Sequence, residues 1–163
     1  MRFRRLTMEE LQEMEKEFVQ FLVSNTITGE DWVKIKTETP EKADELIDLF
    51  SDIVFDKITQ DIQYLEFKTP DDIKAFHCLE DKIILNGLRI DGTPPHGLDA
   101  SLPFPEIMKE LEKAGINIQI YTAEKAYRPD RAAELFRMLE GGARISRDGY
   151  FFHLVEGYKS EAV

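Results

Sequence analysis

The sequence predicts an α+β domain with a mostly antiparallel sheet of about five to six strands. Three observations carry this. Apolar residues recur at helical spacing in three segments of the first sixty residues. Alternation with period two replaces that pattern from Ile62. Two further helical faces then appear in the C-terminal half, interleaved with strands. The expected organisation is a single domain over 1–163, with a helical part at about 7–60 and a sheet-containing part at about 61–158.

The first helix starts at Thr7, an N-cap residue with Glu10 three positions on and Leu6 and Leu11 at the staple positions. Leu11, Met14, Phe18, Phe21 and Leu22 then share one face, which predicts a helix over about 8–24. Thr28-Gly29-Glu30-Asp31 opens a second, short helix to about Lys36, with Trp32 and Ile35 inward. The third has Thr39 as cap, Pro40 in the first turn and Glu41 at the positive end of the dipole. Its inward arc over about 40–60 comprises Ala43, Leu46, Ile47, Phe50, Ile53, Val54 and Ile58.

Strands are predicted at Ile62–Lys68, Ile73–Leu79 and Ile83–Ile90, the last two joined by a turn at Glu80-Asp81-Lys82. Residues 91–103 hold two Gly and three Pro and read as a long loop. Phe104, Ile107, Met108, Leu111 and Ala114 form a helical face ended by Gly115. Ile116–Tyr121 alternates as a strand, and Pro129 opens a helix with Ala132, Leu135, Phe136 and Leu139 inward. The Asp148-Gly149 pair predicts a hairpin between Ala143–Ser146 and Tyr150–Val155, the second strand being apolar on both faces.

Composition narrows the function classes. The chain carries 32 acidic and 21 basic side chains, net −11, with 42% apolar residues, enough for a core without disulfides or a structural metal. The lone Cys78 excludes an internal disulfide and a Cys-based zinc site, and no run is long and apolar enough to span a membrane. Arg2, Arg4 and Arg5 are followed by Glu9, Glu10, Glu13, Glu15 and Glu17 in place of an apolar leader core, so a reducing cytoplasmic location is expected. Residues 1–81 hold 20 acids against 10 bases, whereas 125–147 hold six bases against three acids. That lopsided, net negative field disfavours nucleic acid and suits a basic protein partner or a second copy of the chain.

Asp44, Asp48, Asp52 and Asp56 stand four apart on the third helix. They lie opposite the centre of the apolar arc and spread around the helix, so a solvated face is expected and convergence on a cation is not. His77 and Cys78 are neighbours on a strand and point to opposite faces, so they form no dyad; Cys78 reads as a small buried thiol. A metal site would need His77, His96 and His153 from three separate elements, and His96 reads as an exposed loop residue. The remaining candidate is an anion site at the helix start near 129, formed by Tyr127, Arg128 and Arg131, with Arg144 and Arg147 joining if the hairpin packs nearby. Dinucleotide-binding, Walker, nucleophile-elbow and zincin motifs are absent from the sequence.

Several segments carry a family resemblance: Arg4-Arg5-Leu6-Thr7, Asp31-Trp32-Val33-Lys34-Ile35-Lys36, Asp48-Leu49-Phe50-Ser51-Asp52, Tyr64-Leu65-Glu66, Phe76-His77-Cys78, and the run from Glu134 to Glu140. Together they resemble an uncharacterised family of small acidic bacterial proteins whose domain has no assigned function. The resemblance spans almost the whole chain, most firmly residues 4–80. It implies a stand-alone bacterial cytoplasmic protein and supplies no activity, cofactor or catalytic residue. The expected function is therefore a non-catalytic protein-interaction or regulatory module, with a protein partner or a homodimer. The alternatives are a small-ligand or anion-binding protein using Arg128 and Arg131, and an enzyme without a recognisable motif. No catalytic residue, metal or cofactor is expected.

Overall fold

The computed structural model describes residues 2–91 and 102–161, so nearly all of the predicted 91–103 loop, His96 included, lies outside the described residues. Among the described residues there are seven helices and five strands. The chain divides into two compact units, Met1–Gln60 and Asp61–Val163.

In the helical unit, α1 (Met8–Glu13) and α2 (Glu15–Ser24) replace the single helix predicted over 8–24. The break is one residue wide. Met14 leaves helical geometry at φ −107°, and its N–H is shared between the carbonyls of Glu10 and Leu11. Thr7 and Glu10 form a complete capping box, as do Thr28 and Asp31 at the start of α3 (Gly29–Glu38). The long α4 (Pro40–Asp61) begins at the predicted proline. Phe18 of α2 packs against Phe50 of α4 and Trp32 of α3, each with ring centroids 5.1 Å apart.

The buried arc of α4 is wider than predicted and rotated. Ser51, Phe55 and Thr59 are buried beside Phe50 and Val54, while Ile53, expected inward, is 49% exposed. For Ser51 and Phe55 the cause is residues 2–6, which lie along α4: the Phe3 ring meets Phe55 at 6.0 Å, and Leu6 N–H donates to Ser51 Oγ at 3.0 Å.

In the sheet unit, β1 (Tyr64–Thr69), β2 (Asp72–Cys78), β3 (Lys82–Asp91), β4 (Asn117–Ala126) and β5 (Arg144–Ser146) form one sheet in the order β4-β3-β2-β1-β5. Every pairing is antiparallel. One face carries Ile73, Ala75, Leu88 and Ile90, which share a core with Ile107, Met108 and Leu111 of α5 (Phe104–Lys113). The other face buries Leu65, Cys78 and Ile83, and Lys125 on that side reaches Glu134 of α6 (Arg131–Glu140). Gly87 of β3 stands opposite Tyr121 of β4, whose ring lies so close that a Cβ on Gly87 would sit 2.1 Å from it. The Tyr121 hydroxyl donates to Asp72 Oδ1 at 2.6 Å, and Arg89 lies 5.7 Å from the ring centroid.

The predicted last strand, Tyr150–Val155, is instead part of a helix, α7 (Tyr150–Glu161), so the sheet has five strands and the hairpin is a strand-to-helix corner. The Asp-Gly signal marked a real turn of a different kind. Gly149 takes φ +64°, Asp148 Oδ1 accepts the Tyr150 N–H at 3.1 Å, and Gly149 O accepts the His153 N–H at 2.9 Å. A five-residue apolar run satisfies a covered strand and a covered helix equally. Burial of Phe151, Phe152 and Val155 at i, i+1 and i+4, with His153 exposed, shows the helical period.

Candidate functional site

The helical unit carries a groove of about 530 Å³ with apolar walls. Leu11 and Met8 of α1, Phe18 of α2, Trp32 of α3 and Ile47 of α4 line it, with Glu15 and Lys36 at its edge. Local sequence places each wall. The Thr7 and Thr28 capping boxes fix where α1 and α3 begin, and hence which side chains of each helix face the hollow. The Phe18–Trp32 edge contact holds the indole in place, and Lys36 Nζ sits 5.7 Å from its centroid. Met8 stays 72% exposed at the mouth. The bordering helices carry Glu9, Glu13, Glu15 and Glu17, none of which has an ion-pair partner among the described residues.

The predicted aspartate row does not meet bare water. Asp52 accepts the Arg2 N–H at 2.8 Å and the Phe3 N–H at 3.0 Å. Asp48 binds Arg5 through two bonds of 2.6 and 3.0 Å, Asp56 takes Arg2 at 3.3 Å, and Asp44 lies 3.9 Å from Arg5. The row is a rail for the N-terminal arm, and the four carboxylates do not converge on one point. Periodicity placed these residues away from the apolar centre, but the arginines that meet them lie 39 to 54 residues away in sequence. Glu10 is drawn down to about 2 by the Arg4 guanidinium and the Thr7 amide, and the Arg5 hydrogen bond lowers Asp48.

The predicted anion site resolves into separate pieces. Tyr127 and Arg131 come together, but on backbone oxygens at the end of β2 and just before β1. Arg131 donates to the carbonyls of Leu79 (3.1 Å), Cys78 (3.2 Å) and Ile62, and the Tyr127 hydroxyl also donates to Leu79 O. Burial pushes the Tyr127 phenol up to about 12. The α6 start is served by its own sequence, since Asp130 Oδ1 accepts the Ala133 N–H at 2.9 Å. Arg128 is exposed, and its carbonyl accepts from Arg137. Arg144 and Arg147 are exposed on and just after β5, where Arg144 stands opposite Glu66 of β1. The structure therefore joins two of the five residues and uses them to fasten α6 to the sheet.

Two histidines meet where periodicity gave no warning. Tyr64 stacks on His77 at 4.5 Å, and its hydroxyl lies 3.1 Å from His153 Nε2. Burial and the neighbouring His153 lower His77. The repeated Phe-His dipeptide at 76–77 and 152–153 was the available signal. Cys78 faces the other side of β2, and burial raises its thiol to about 11, which makes it a poor nucleophile. Among the described residues, no group of three or more His, Cys, Asp or Glu could hold a metal ion. No helix among them is long and apolar enough to cross a membrane.

The chain belongs to a family of unknown function, DUF6495, whose model matches residues 1–159. No curated protein and no solved structure matches it.

Proposed function

We propose that this DUF6495 member is a non-catalytic protein-binding module of the bacterial cytoplasm, whose helical unit takes a basic amphipathic helix of its partner into the Trp32 groove. The observation that carries the reading is the gathering of Met8, Leu11, Phe18, Trp32 and Ile47 around an open hollow at the surface. An apolar groove between helices suits helix-in-groove recognition, in which residues at i, i+3, i+4 and i+7 of the incoming helix supply the anchors. Charge selects the occupant. Residues 1–60 carry 14 acids against 8 bases, and Arg2, Arg4 and Arg5 are already engaged by acids of the same unit. Glu15 at the groove, with Glu9, Glu13 and Glu17 on the same two helices, therefore favours a basic flank on the incoming helix. The buried, weakly acidic Cys78 thiol fits a reducing compartment.

Trp32 is the chain's single tryptophan and reports occupancy directly. A Leu/Lys amphipathic peptide of about 18 residues is expected to blue-shift its emission saturably. A Leu/Glu counterpart is expected to leave it unchanged. Met8→Asp, at an exposed position, is expected to weaken binding at least tenfold. The reading fails if the Lys peptide leaves Trp32 emission unchanged at about 100 µM, or if Met8→Asp binds it equally well. It fails also if light scattering shows a homodimer that Met8→Asp dissociates, which would make a second copy the occupant.

A further inference from the structure

The sheet unit holds a second recess, unrelated to the Trp32 groove. Two hollows, of about 370 and 240 Å³, share Glu66 and Lys68 of β1 as lining residues. The first is completed by Gly142 and Arg144, the second by an apolar wall that includes Ile107 of α5 and Phe151 and Leu154 of α7. The antiparallel register puts Arg144 directly opposite Glu66, so both side chains leave the same face of the sheet. Lys68 stands 3.8 Å from the Glu66 carboxylate, and Arg144 has no ion-pair partner among the described residues.

We infer that this recess binds a small carboxylate with an apolar body, the head on Arg144 and Lys68 and the body against Ile107, Phe151 and Leu154. An unpaired guanidinium beside an ammonium supplies forked donors for one carboxylate. The apolar wall supplies the area that orients a ligand, as small-molecule sites generally do. Glu66 and Asp148 also line the recess, and their charges oppose polyanions, so nucleotides and polyphosphates are disfavoured.

The test is NMR of the full chain titrated with 3-phenylpropionate, phenethylamine and inorganic phosphate. Saturable shifts at the amides of Lys68, Arg144 and Phe151 are expected with 3-phenylpropionate, at millimolar affinity for so small a probe. Phenethylamine, which has the ring without the carboxylate, and phosphate, which has the charge without the ring, are each expected to bind at least tenfold more weakly. Arg144→Gln, at an exposed edge position, is expected to lose tenfold or more while the rest of the spectrum is retained. The assignment is overturned if 3-phenylpropionate moves none of these amides at about 10 mM, if phenethylamine or phosphate binds as well, or if Arg144→Gln binds undiminished. Trp32 plays no part in this readout, so the outcome is independent of the groove.

Discussion

In the helical unit, Arg5 crosses 43 residues of sequence to clasp Asp48, with its side chain 45% and that of Asp48 28% exposed. In the sheet unit, Arg131 crosses 52 to 69 residues to reach the backbone carbonyls of Cys78 and Leu79 at the end of β2 and of Ile62 just before β1, where Ile62 and Cys78 are buried. Both arginines fix one segment of chain on another, yet their surroundings give the bonds different worth. A wet ion pair exchanges one set of solvated partners for another and is screened by salt. A guanidinium among part-buried carbonyls serves groups with less access to water, so its loss exposes more of their desolvation cost. The comparison teaches that the span of a polar contact says little about its strength, and that burial of its acceptors says much.

The sharpest way to break the contrast is Arg131→Met, which removes the guanidinium donor from the carbonyls of Ile62 and Cys78 and leaves Leu79 O with the Tyr127 hydroxyl alone. A loss of about 4 kcal/mol is expected in urea unfolding followed by sheet-specific signals, and it should persist at high salt. Next comes Gly87→Ala, whose new methyl meets the Tyr121 ring. A cost of about 2 kcal/mol is expected, and Tyr121→Ala in the same chain should recover part of it, because the clash then disappears.

Acid titration probes the helical unit. Glu10 has its folded-state pKa depressed to about 2, by Arg4 first and then the Thr7 amide. Its contribution is therefore present above its unfolded value, near 4.5, and is lost as the pH falls from there through about 2. Since the pair is about one-third exposed, Glu10→Gln is expected to cost about 1 kcal/mol at pH 7, with the difference from the parent chain fading toward pH 2. Arg5→Gln should cost least, and that small loss should vanish in 1 M salt. A salt-insensitive Arg5→Gln, or a salt-sensitive Arg131→Met, would erase the distinction between the two units.

The features legible in the sequence were those whose physics is local. Thr7 with Glu10, Thr28 with Asp31, and Pro40 announce helix starts within four residues, and each stands where expected. Alternation through Ile73–Ile90 likewise gave β2 and β3 with their partners. What escaped depends on distant neighbours. Phe151 to Val155 had no local preference, and the choice of helix follows from the corner at Gly149, packed against the Tyr64 ring. Periodicity drew the inward arc of α4 without the arm of residues 2–6, so it missed Ser51 and Phe55. The candidate site shows the same divide. Tyr127 and Arg131 were rightly placed beside a helix start, but the oxygens they hold come from residues 62, 78 and 79, which no spacing rule connects to them.

The tyrosine lying across Gly87 also bears on descent. Positions 87 and 121 face each other on adjoining strands, and the ring fills the space that a side chain at 87 would need. Inheritance must therefore treat the two as a linked pair. A relative that acquires any side chain at the first position should be found with a smaller residue at the second, and with Asp72 freed to take another donor.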